Sequence, residues 1–160
     1  AKMSKIDLSN VVNSVVEDFN NDLLNSNKKV KINVTNSNLN GSKLNVLGVE
    51  SKLEQIVANL LDNAVSFSPT NSNISVICAI KKGNAQLVIE DEGPGFNEKN
   101  IGKVFNRFYS NRPEKFGEHS GLGLNIVKNI VELHGGTILA SNQNKNKGAR
   151  IEVLLPINKQ

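Results

Sequence analysis

The segment from Glu50 to Phe67 constrains the fold more than any other part of the chain, because its apolar residues recur at the three- and four-residue spacing of a helix. The apolar stripe consists of Leu53, Ile56, Val57, Leu60, Leu61 and Ala64. A stripe this wide has to be buried against a second layer of structure. The Ser68-Pro69 pair ends the segment, since the residue before a proline is driven away from helical geometry. The sequence therefore predicts one long helix packed on another layer.

Short predicted strands supply that second layer. Alternation of apolar and polar residues is typical of a half-buried strand, and it occurs at 29–34. Further strands are predicted at 74–80, 86–91, 137–141 and 150–155. Two shorter strands are predicted at 6–8 and 44–47. The turn Lys81-Lys82-Gly83-Asn84 predicts that the strands on either side of it form a β-hairpin.

Two further helices complete the predicted fold. One follows Ser9, which is the predicted N-cap, and the other covers 122–134 and ends at Gly135-Gly136. The whole pattern predicts a single α+β domain over residues 1–160. Its architecture is a two-layer sandwich, with about three helices on one face of a mixed, mostly antiparallel sheet.

Charge and composition argue against several classes of function. The chain has 19 Lys and Arg against 15 Asp and Glu, and an isoelectric point near 9.2. The lysines are scattered with almost no aromatic residues between them, so we expect a solvated surface and no nucleic-acid partner. Abundant Asn and Lys with few Arg are typical of an AT-rich genome. The single cysteine, Cys78, excludes an intrachain disulfide and a cysteine-rich metal site.

Membrane insertion is not expected for this segment. No apolar run approaches the roughly 18 residues that suggest a membrane span, and no signal-peptide pattern opens the chain. We therefore expect a cytoplasmic domain without direct membrane contact.

Three amides lie opposite the apolar stripe of the predicted helix at Glu50 to Phe67. Gln55, Asn59 and Asn63 follow one another at four-residue intervals, which places them on one helical face. An amide offers oxygen to a hard cation and N–H donors to phosphate, without a charge that would repel a nucleotide. Considered alone, the pattern fits an ordinary solvated face better.

The motif Asp91-Glu92-Gly93-Pro94-Gly95 follows a predicted strand. A carboxylate at a strand end can act as a fixed acceptor, and the glycines allow a flat ring to approach the backbone. A charge-assisted bond from an adenine amino group contributes about 1.5–3 kcal/mol. An ordinary loop explains so short a pattern equally well.

Glycines also open the last predicted helix, in Ser120-Gly121-Leu122-Gly123-Leu124. Free backbone N–H groups at a helix N-terminus can hold phosphate oxygens. The motif matches neither the lysine-containing phosphate loop nor the dinucleotide fingerprint, so it is weak evidence alone.

The order of the motifs is more specific than any one of them. In chain order they are Asn59-x-x-x-Asn63, Asp91-x-Gly93-x-Gly95, Phe105-Asn106-Arg107-Phe108-Tyr109 and Gly121-Leu122-Gly123-Leu124. This order resembles the N, G1, F and G2 boxes of the catalytic and ATP-binding domain of sensor histidine kinases, in the GHKL superfamily. The resemblance covers nearly the whole chain and extends to Gly148-Ala149-Arg150, which is similar to the family's final glycine motif. The segment 107–113 most nearly resembles the ChvG/ExoS/BvrS type of alphaproteobacteria.

The resemblance implies a fold, a reaction and partners. The fold is the Bergerat ATP-binding sandwich, and the reaction is transfer of the ATP γ-phosphoryl group to a histidine on a separate dimerisation domain. That phosphoacceptor domain of the same kinase is the expected partner, with a response regulator acting indirectly. The isolated chain is not expected to autophosphorylate, and it is expected to be the cytoplasmic portion of an inner-membrane sensor kinase.

The resemblance also implies roles for individual residues. Asn63 is expected to coordinate Mg²⁺ with support from Asn59, and Asp91 is expected to bind the adenine amino group. The adenine slot is expected to be shaped by Phe67, Gly93, Gly95 and Ile101. A lid and the phosphate site are expected from Phe108, Tyr109, Gly121, Leu122, Gly123 and Leu124.

The chain departs from the family pattern at Ser66 and Ser110, where cationic residues are usual, and at Ala149, where Ser or Thr is frequent. Lost cations should weaken phosphate binding, so we expect Arg107 or Arg112 to compensate as catalytic residues beside Asn59.

Other functions remain open. A non-catalytic nucleotide-sensing module and an anti-sigma-factor serine kinase have the same kind of site. Related gyrase-type ATPases carry a general-base Glu where this chain has Asn59, and an amide cannot take a proton from water. His134 is predicted to cap a helix end and His119 to be exposed, so neither is expected to be a phosphoacceptor.

Overall fold

The computed structural model describes residues 2–106, 123–144 and 147–159. Seven strands lie in these ranges: β1 (Ser4–Asp7), β2 (Val30–Asn36), β3 (Asn45–Gly48), β4 (Ser72–Lys81), β5 (Asn84–Glu90), β6 (Thr137–Asn142) and β7 (Ala149–Pro156). The described helices are α1 (Leu8–Leu24), α2 (Glu50–Phe67), α3 (Gly123–Leu133) and a short 3-10 helix at Glu98–Lys103. No helix within these ranges is long and apolar enough to cross a membrane.

The sheet and the helices form two layers. Five strands lie in the order β2-β4-β5-β7-β6, in which β2 and β4 are parallel and every other pair is antiparallel. Strands β1 and β3 form a separate antiparallel pair. Helix α2 contacts α1, α3 and β5, while α1 also contacts β2 and α3 contacts β6. The predicted α+β sandwich with a mixed, mostly antiparallel sheet is confirmed.

The apolar stripe of α2 lies at the centre of the core. Leu53, Val57 and Leu61 are fully buried, and they join side chains of the sheet such as Ile74 and Leu87 in one cluster. Burying the side chain of a Leu or Val stabilises the fold by about 1.5–3 kcal/mol. Because the stripe faces inward, the opposite amide face of α2 is turned away from the core.

The beginning of α1 differs from the prediction. Asp7, not Ser9, is the N-cap, and its Oδ1 accepts hydrogen bonds from the Ser9 backbone N–H at 3.1 Å and the Ser9 hydroxyl at 2.6 Å. The same oxygen accepts from the Leu44 backbone N–H at 3.1 Å. The helix starts earlier because Leu8 is buried and a carboxylate serves donors from two segments.

Local sequence pattern predicts the β4–β5 hairpin but not the short helix in the loop that follows it. The β4–β5 turn consists of Lys82 and Gly83, both with positive φ, as a tight two-residue turn requires. The prediction of a hairpin is confirmed. The 3-10 helix Glu98–Lys103 was not predicted, and it is capped by the Asn97 side chain, which accepts from the Lys99 backbone N–H at 3.0 Å.

His134 has the structural role that its position predicted. Its Nδ1 lies 2.8 Å from the Ile130 carbonyl oxygen at the end of α3, and its Nε2 accepts from the Val49 backbone N–H at 3.2 Å. A neutral imidazole with the proton on Nδ1 satisfies both bonds. Val49 is the N-cap of α2, so His134 connects the start of α2 with the end of α3.

Candidate functional site

The amide face of α2 forms one side of the candidate site. Gln55, Asn59 and Asn63 are each half-buried. Among the described residues, no hydrogen bond engages the side-chain amide of Asn59 or Asn63. Amide oxygens of this kind suit a hard cation such as Mg²⁺, which usually takes few protein ligands and completes its shell with water and phosphate oxygens. Within the described ranges no cluster of three His, Cys, Asp or Glu side chains could hold a metal.

Asp91 forms the other side of the candidate site. It follows β5 directly, its exposed fraction is 3%, and its Oδ1 accepts from the backbone N–H groups of Gly93 at 2.9 Å and Ala149 at 3.2 Å. Its own backbone N–H donates to the Ala149 carbonyl oxygen at 3.1 Å. Two hydrogen bonds to one carboxylate oxygen and one from the backbone of the same residue therefore fix the orientation of the carboxylate.

The two glycines after Asp91 are required by packing. A Cβ on Gly93 would overlap the Phe67 carbonyl oxygen, and a Cβ on Gly95 would lie 2.7 Å from Asn142 Oδ1. Gly95 also has a φ of +78°, which side-chain-bearing residues rarely adopt. The space beside each glycine is thus filled by protein atoms, and the expected approach of a ring to these residues stays a prediction.

The aromatic and apolar residues predicted for the adenine slot, Phe67 and Ile101, lie on two elements. Phe67 ends α2 and is buried, and Gly93 packs against its backbone. Ile101 lies in the 3-10 helix and is half-buried. The Phe105 carbonyl oxygen accepts from Asn125 Nδ2 at 3.0 Å. This bond attaches the first residue of the motif at 105–109 to the first turn of α3.

Helix α3 begins with Gly123 and Leu124, which agrees with the predicted glycine-rich start of this helix. No described atom lies within 4 Å of the position that a Cβ on Gly123 would occupy. The remaining residues assigned to the lid and the phosphate site, Arg107, Phe108, Tyr109, Arg112, Gly121 and Leu122, lie outside the described residues, as do Ser110 and His119.

Two residues at the end of β6 also belong to the site, although no sequence motif indicates them. Asn142 Oδ1 accepts from the Phe96 backbone N–H at 2.7 Å, and Asn142 Nδ2 donates to the Phe96 carbonyl oxygen at 3.0 Å. Gln143 Nε2 donates to the Asp91 carbonyl oxygen. No local signal could identify either residue, because polar residues after a strand are ordinary in any loop.

A cation also lies beside Ser66. Lys28 Nζ donates to the carbonyl oxygens of Val65 at 2.7 Å and Ser66 at 3.2 Å. Helix α2 has no basic residue in its last turn, so this ammonium group complements the negative end of the helix dipole. Burial lowers the pKa of Lys28 from its ordinary value.

Comparison with solved structures identifies the arrangement. A mycobacterial sensor histidine kinase, MprB, superposes with a TM-score of 0.81 at 30% identity, covering 99% of both chains. The catalytic domain of histidine kinase ThkA has the same fold, with a TM-score of 0.79 at 22% identity, over 98% of this chain and 97% of that one.

Sequence comparison agrees. Sensor protein ChvG of Rhizobium meliloti is 35% identical over 165 aligned residues, which cover 98% of this chain and 28% of ChvG. Sensor protein kinase PmrB of Pseudomonas aeruginosa is 37% identical over 69% of this chain and 23% of its own length. The chain thus spans about a quarter of the length of these relatives. Residues 48–159 match the model of the histidine kinase-, DNA gyrase B- and HSP90-like ATPases. The chain therefore belongs to that family, as an ATPase domain of the sensor histidine kinase type.

Proposed function

We propose that the chain binds ATP with Mg²⁺ and presents the γ-phosphoryl group to a histidine on a separate dimerisation domain. The observation that carries the proposal is the junction of α2 with the loop after β5. Gly93 packs on the backbone of Phe67, and Phe67 lies one helical turn, about 6 Å, beyond Asn63. A nucleotide along α2 would therefore have its base near Asp91 and its phosphates near Asn63 and Asn59.

Asp91 would recognise the base. Its carboxylate is held in place by two backbone N–H groups, so it can accept from an adenine amino group without reorganising. Guanine carries an oxygen at the equivalent position, which a carboxylate disfavours. The site would therefore select adenine nucleotides.

Asn63 would ligate Mg²⁺, with Asn59 supporting the metal or a phosphate oxygen. The bound cation would supply positive charge against the polyphosphate, and the two amides would add no charge of their own. We also assign Arg107 or Arg112 to the phosphates, because Ser66 and Ser110 provide no cation. Phosphoryl transfer depends mainly on such positioning and electrostatic stabilisation.

Steady hydrolysis of ATP is the less favoured function. It requires a general base for water, and the side chain at position 59 is an amide that cannot accept a proton. In the proposed reaction the acceptor histidine and its base belong to the partner domain. In the cell this chain would act as the cytoplasmic ATP-binding part of a sensor kinase that serves a response regulator.

Asn63→Ala is expected to remove most of the Mg²⁺ dependence of ATP binding, because it deletes the proposed protein ligand of the metal. Titration calorimetry of ATP with Mg²⁺ and with a chelator measures that dependence. Asn13→Ala is the matched control, since it deletes an exposed amide from α1. Equal Mg²⁺ dependence in Asn63→Ala and Asn13→Ala would exclude Asn63 as the metal ligand.

Phosphoryl transfer is tested by adding a histidine-bearing dimerisation domain of this kinase type to the chain with γ-labelled ATP. We expect acid-labile label on the added domain and none on the chain alone. A chain that binds ATP but labels no histidine in this assay would favour the nucleotide-sensing module instead.

A further inference from the structure

Among the described residues, three asparagine side chains make the same kind of contact. Each donates to the carbonyl oxygen and accepts from the N–H group of one distant residue, and so pairs with it as a neighbouring strand would. The pairs are Asn20 with Ile32, Asn38 with Ile80, and Asn142 with Phe96. The first two pairs involve Ile32 in β2 and Ile80 near the end of β4. The third involves Phe96, which lies in the loop that carries Asp91.

Residues 91–97 form a loop that contains no helix or strand. Near its start, the Asp91 carbonyl oxygen accepts from Gln143. Near its end, both backbone groups of Phe96 bond to Asn142, and the exposed fraction of Phe96 is 5%. Two consecutive side chains at the end of β6 therefore hold both ends of the loop.

Gly95, which precedes Phe96, leaves room for the Asn142 amide. Gly95 has positive φ, and the place that a Cβ would occupy lies 2.7 Å from Asn142 Oδ1. The amide can therefore reach the Phe96 backbone only across a residue without a side chain. Asn142 needs both a donor and an acceptor for this, which an amide has and an ionised carboxylate does not.

We infer that Asn142 is a positioning residue for adenine recognition: by pairing with the Phe96 backbone it holds the loop in the conformation that aims the Asp91 carboxylate at the base. This inference rests on the proposed function. Asn142 need not touch the nucleotide, because it acts through the loop. Loss of the pair should therefore weaken the recognition of the base while leaving the phosphate end of the site unchanged.

The test compares Asn142→Ala with Asn38→Ala, which removes an equivalent pair of bonds, 3.0 and 2.9 Å long, from the far end of β4. Affinities for ADP, ATP and GTP are measured by calorimetry with and without Mg²⁺, well below the unfolding temperature of each variant. For Asn142→Ala we expect an ADP affinity about tenfold lower, the effect of one to two hydrogen bonds, and a reduced preference for ATP over GTP. The factor by which Mg²⁺ improves ATP binding should be unchanged.

The control Asn38→Ala should lose at least as much stability, because Asn38 also has a φ of +51°, which alanine adopts less readily than asparagine. Its nucleotide affinities should nevertheless stay within about twofold of the parent, since its bonds lie outside the site. Asn142→Ser, whose shorter side chain can bond to a Phe96 backbone group through a bridging water molecule, should fall between the parent and Asn142→Ala. This milder variant also provides the comparison if Asn142→Ala does not fold.

The outcomes separate this inference from the proposal on which it rests. If the parent binds ADP and the Asn142 variants bind it as well as Asn38→Ala does, with an unchanged ATP/GTP ratio, the positioning role is wrong and the proposed function stands. If Asn142→Ala loses its response to Mg²⁺ as well as base selectivity, the residue is a general structural support and the inference is overturned. A parent that binds no nucleotide overturns both.

Discussion

Gly148→Ala is expected to lower the free energy of unfolding by about 3 kcal/mol or more, which is a large part of the 5–15 kcal/mol typical of a domain. Gly148 has a φ of +147°, and a Cβ there would overlap the Asp91 carbonyl oxygen and lie 2.8 Å from Gln143 Nε2. Backbone strain and overpacking each cost about 1–3 kcal/mol. The overlapping atoms are backbone and cannot move aside as a flexible side chain would.

The same substitution should also damage the site. The Asp91 carbonyl oxygen that the new methyl group would displace is the acceptor for Gln143, and Ala149 beside it donates to the Asp91 carboxylate. ADP affinity should therefore fall even at temperatures where the variant is folded.

Urea unfolding followed by circular dichroism measures the loss of stability. Gly83→Ala is the matched control, because Gly83 has a φ of +79° and no atom of the described residues lies within 4 Å of its would-be Cβ. It isolates the cost of positive φ, about 1 kcal/mol or slightly more. If Gly148→Ala is no less stable than Gly83→Ala, the close approach of Gly148 to Asp91 does not constrain the fold.

The sequence was sufficient where the determining signals are local. The bounds of α2 were predicted as they are observed, because the apolar stripe and the Ser68-Pro69 stop lie within the element itself. The β4–β5 hairpin and the start of α3 after a glycine-rich motif were also predicted from neighbouring residues.

Contacts between distant segments could not be predicted. The bonds from Asn142 to Phe96 and from Gln143 to Asp91 cross 46 and 52 residues, and nothing near either end indicates its partner. The abundance of asparagine pointed to genome composition, yet individual asparagines pair with backbone groups or adopt positive φ, as Asn40 and Asn71 do. Composition alone cannot separate these asparagines from the many exposed ones.

The glycines after Asp91 show how a local pattern can leave its physical cause open. Their spacing indicated room for a flat ring, because glycine lets a ligand approach the backbone. In the folded chain the room beside Gly93 is taken by Phe67 and that beside Gly95 by Asn142. The motif is needed for loop packing in any case, so its presence is weaker evidence for a ligand than the orientation of the Asp91 carboxylate.

Asp91→Asn is expected to weaken binding of ATP and ADP by about 1.5–3 kcal/mol, the contribution of a hydrogen bond to a charged group. Two backbone N–H groups, those of Gly93 and Ala149, point at Oδ1. An asparagine has to keep its amide oxygen toward these donors, so its NH₂ group takes the place of the second carboxylate oxygen. That group would face the adenine amino group, donor against donor, whereas it could donate to the oxygen that guanine presents.

The structure therefore predicts a shift of preference from ATP toward GTP in Asp91→Asn, in addition to the loss of affinity. Calorimetric dissociation constants for ATP, ADP and GTP, measured for the parent and the variant with Mg²⁺, give the ratio directly. Asp62→Asn is the matched control, because it makes the same change of charge on the exposed surface of α2, beside Asn63. If long-range electrostatics were responsible, both variants would change ATP affinity alike and neither would change the ATP/GTP ratio. An unchanged ratio in a folded Asp91→Asn variant would assign the recognition of adenine to another group, because the fixed carboxylate would then have no part in distinguishing the two bases.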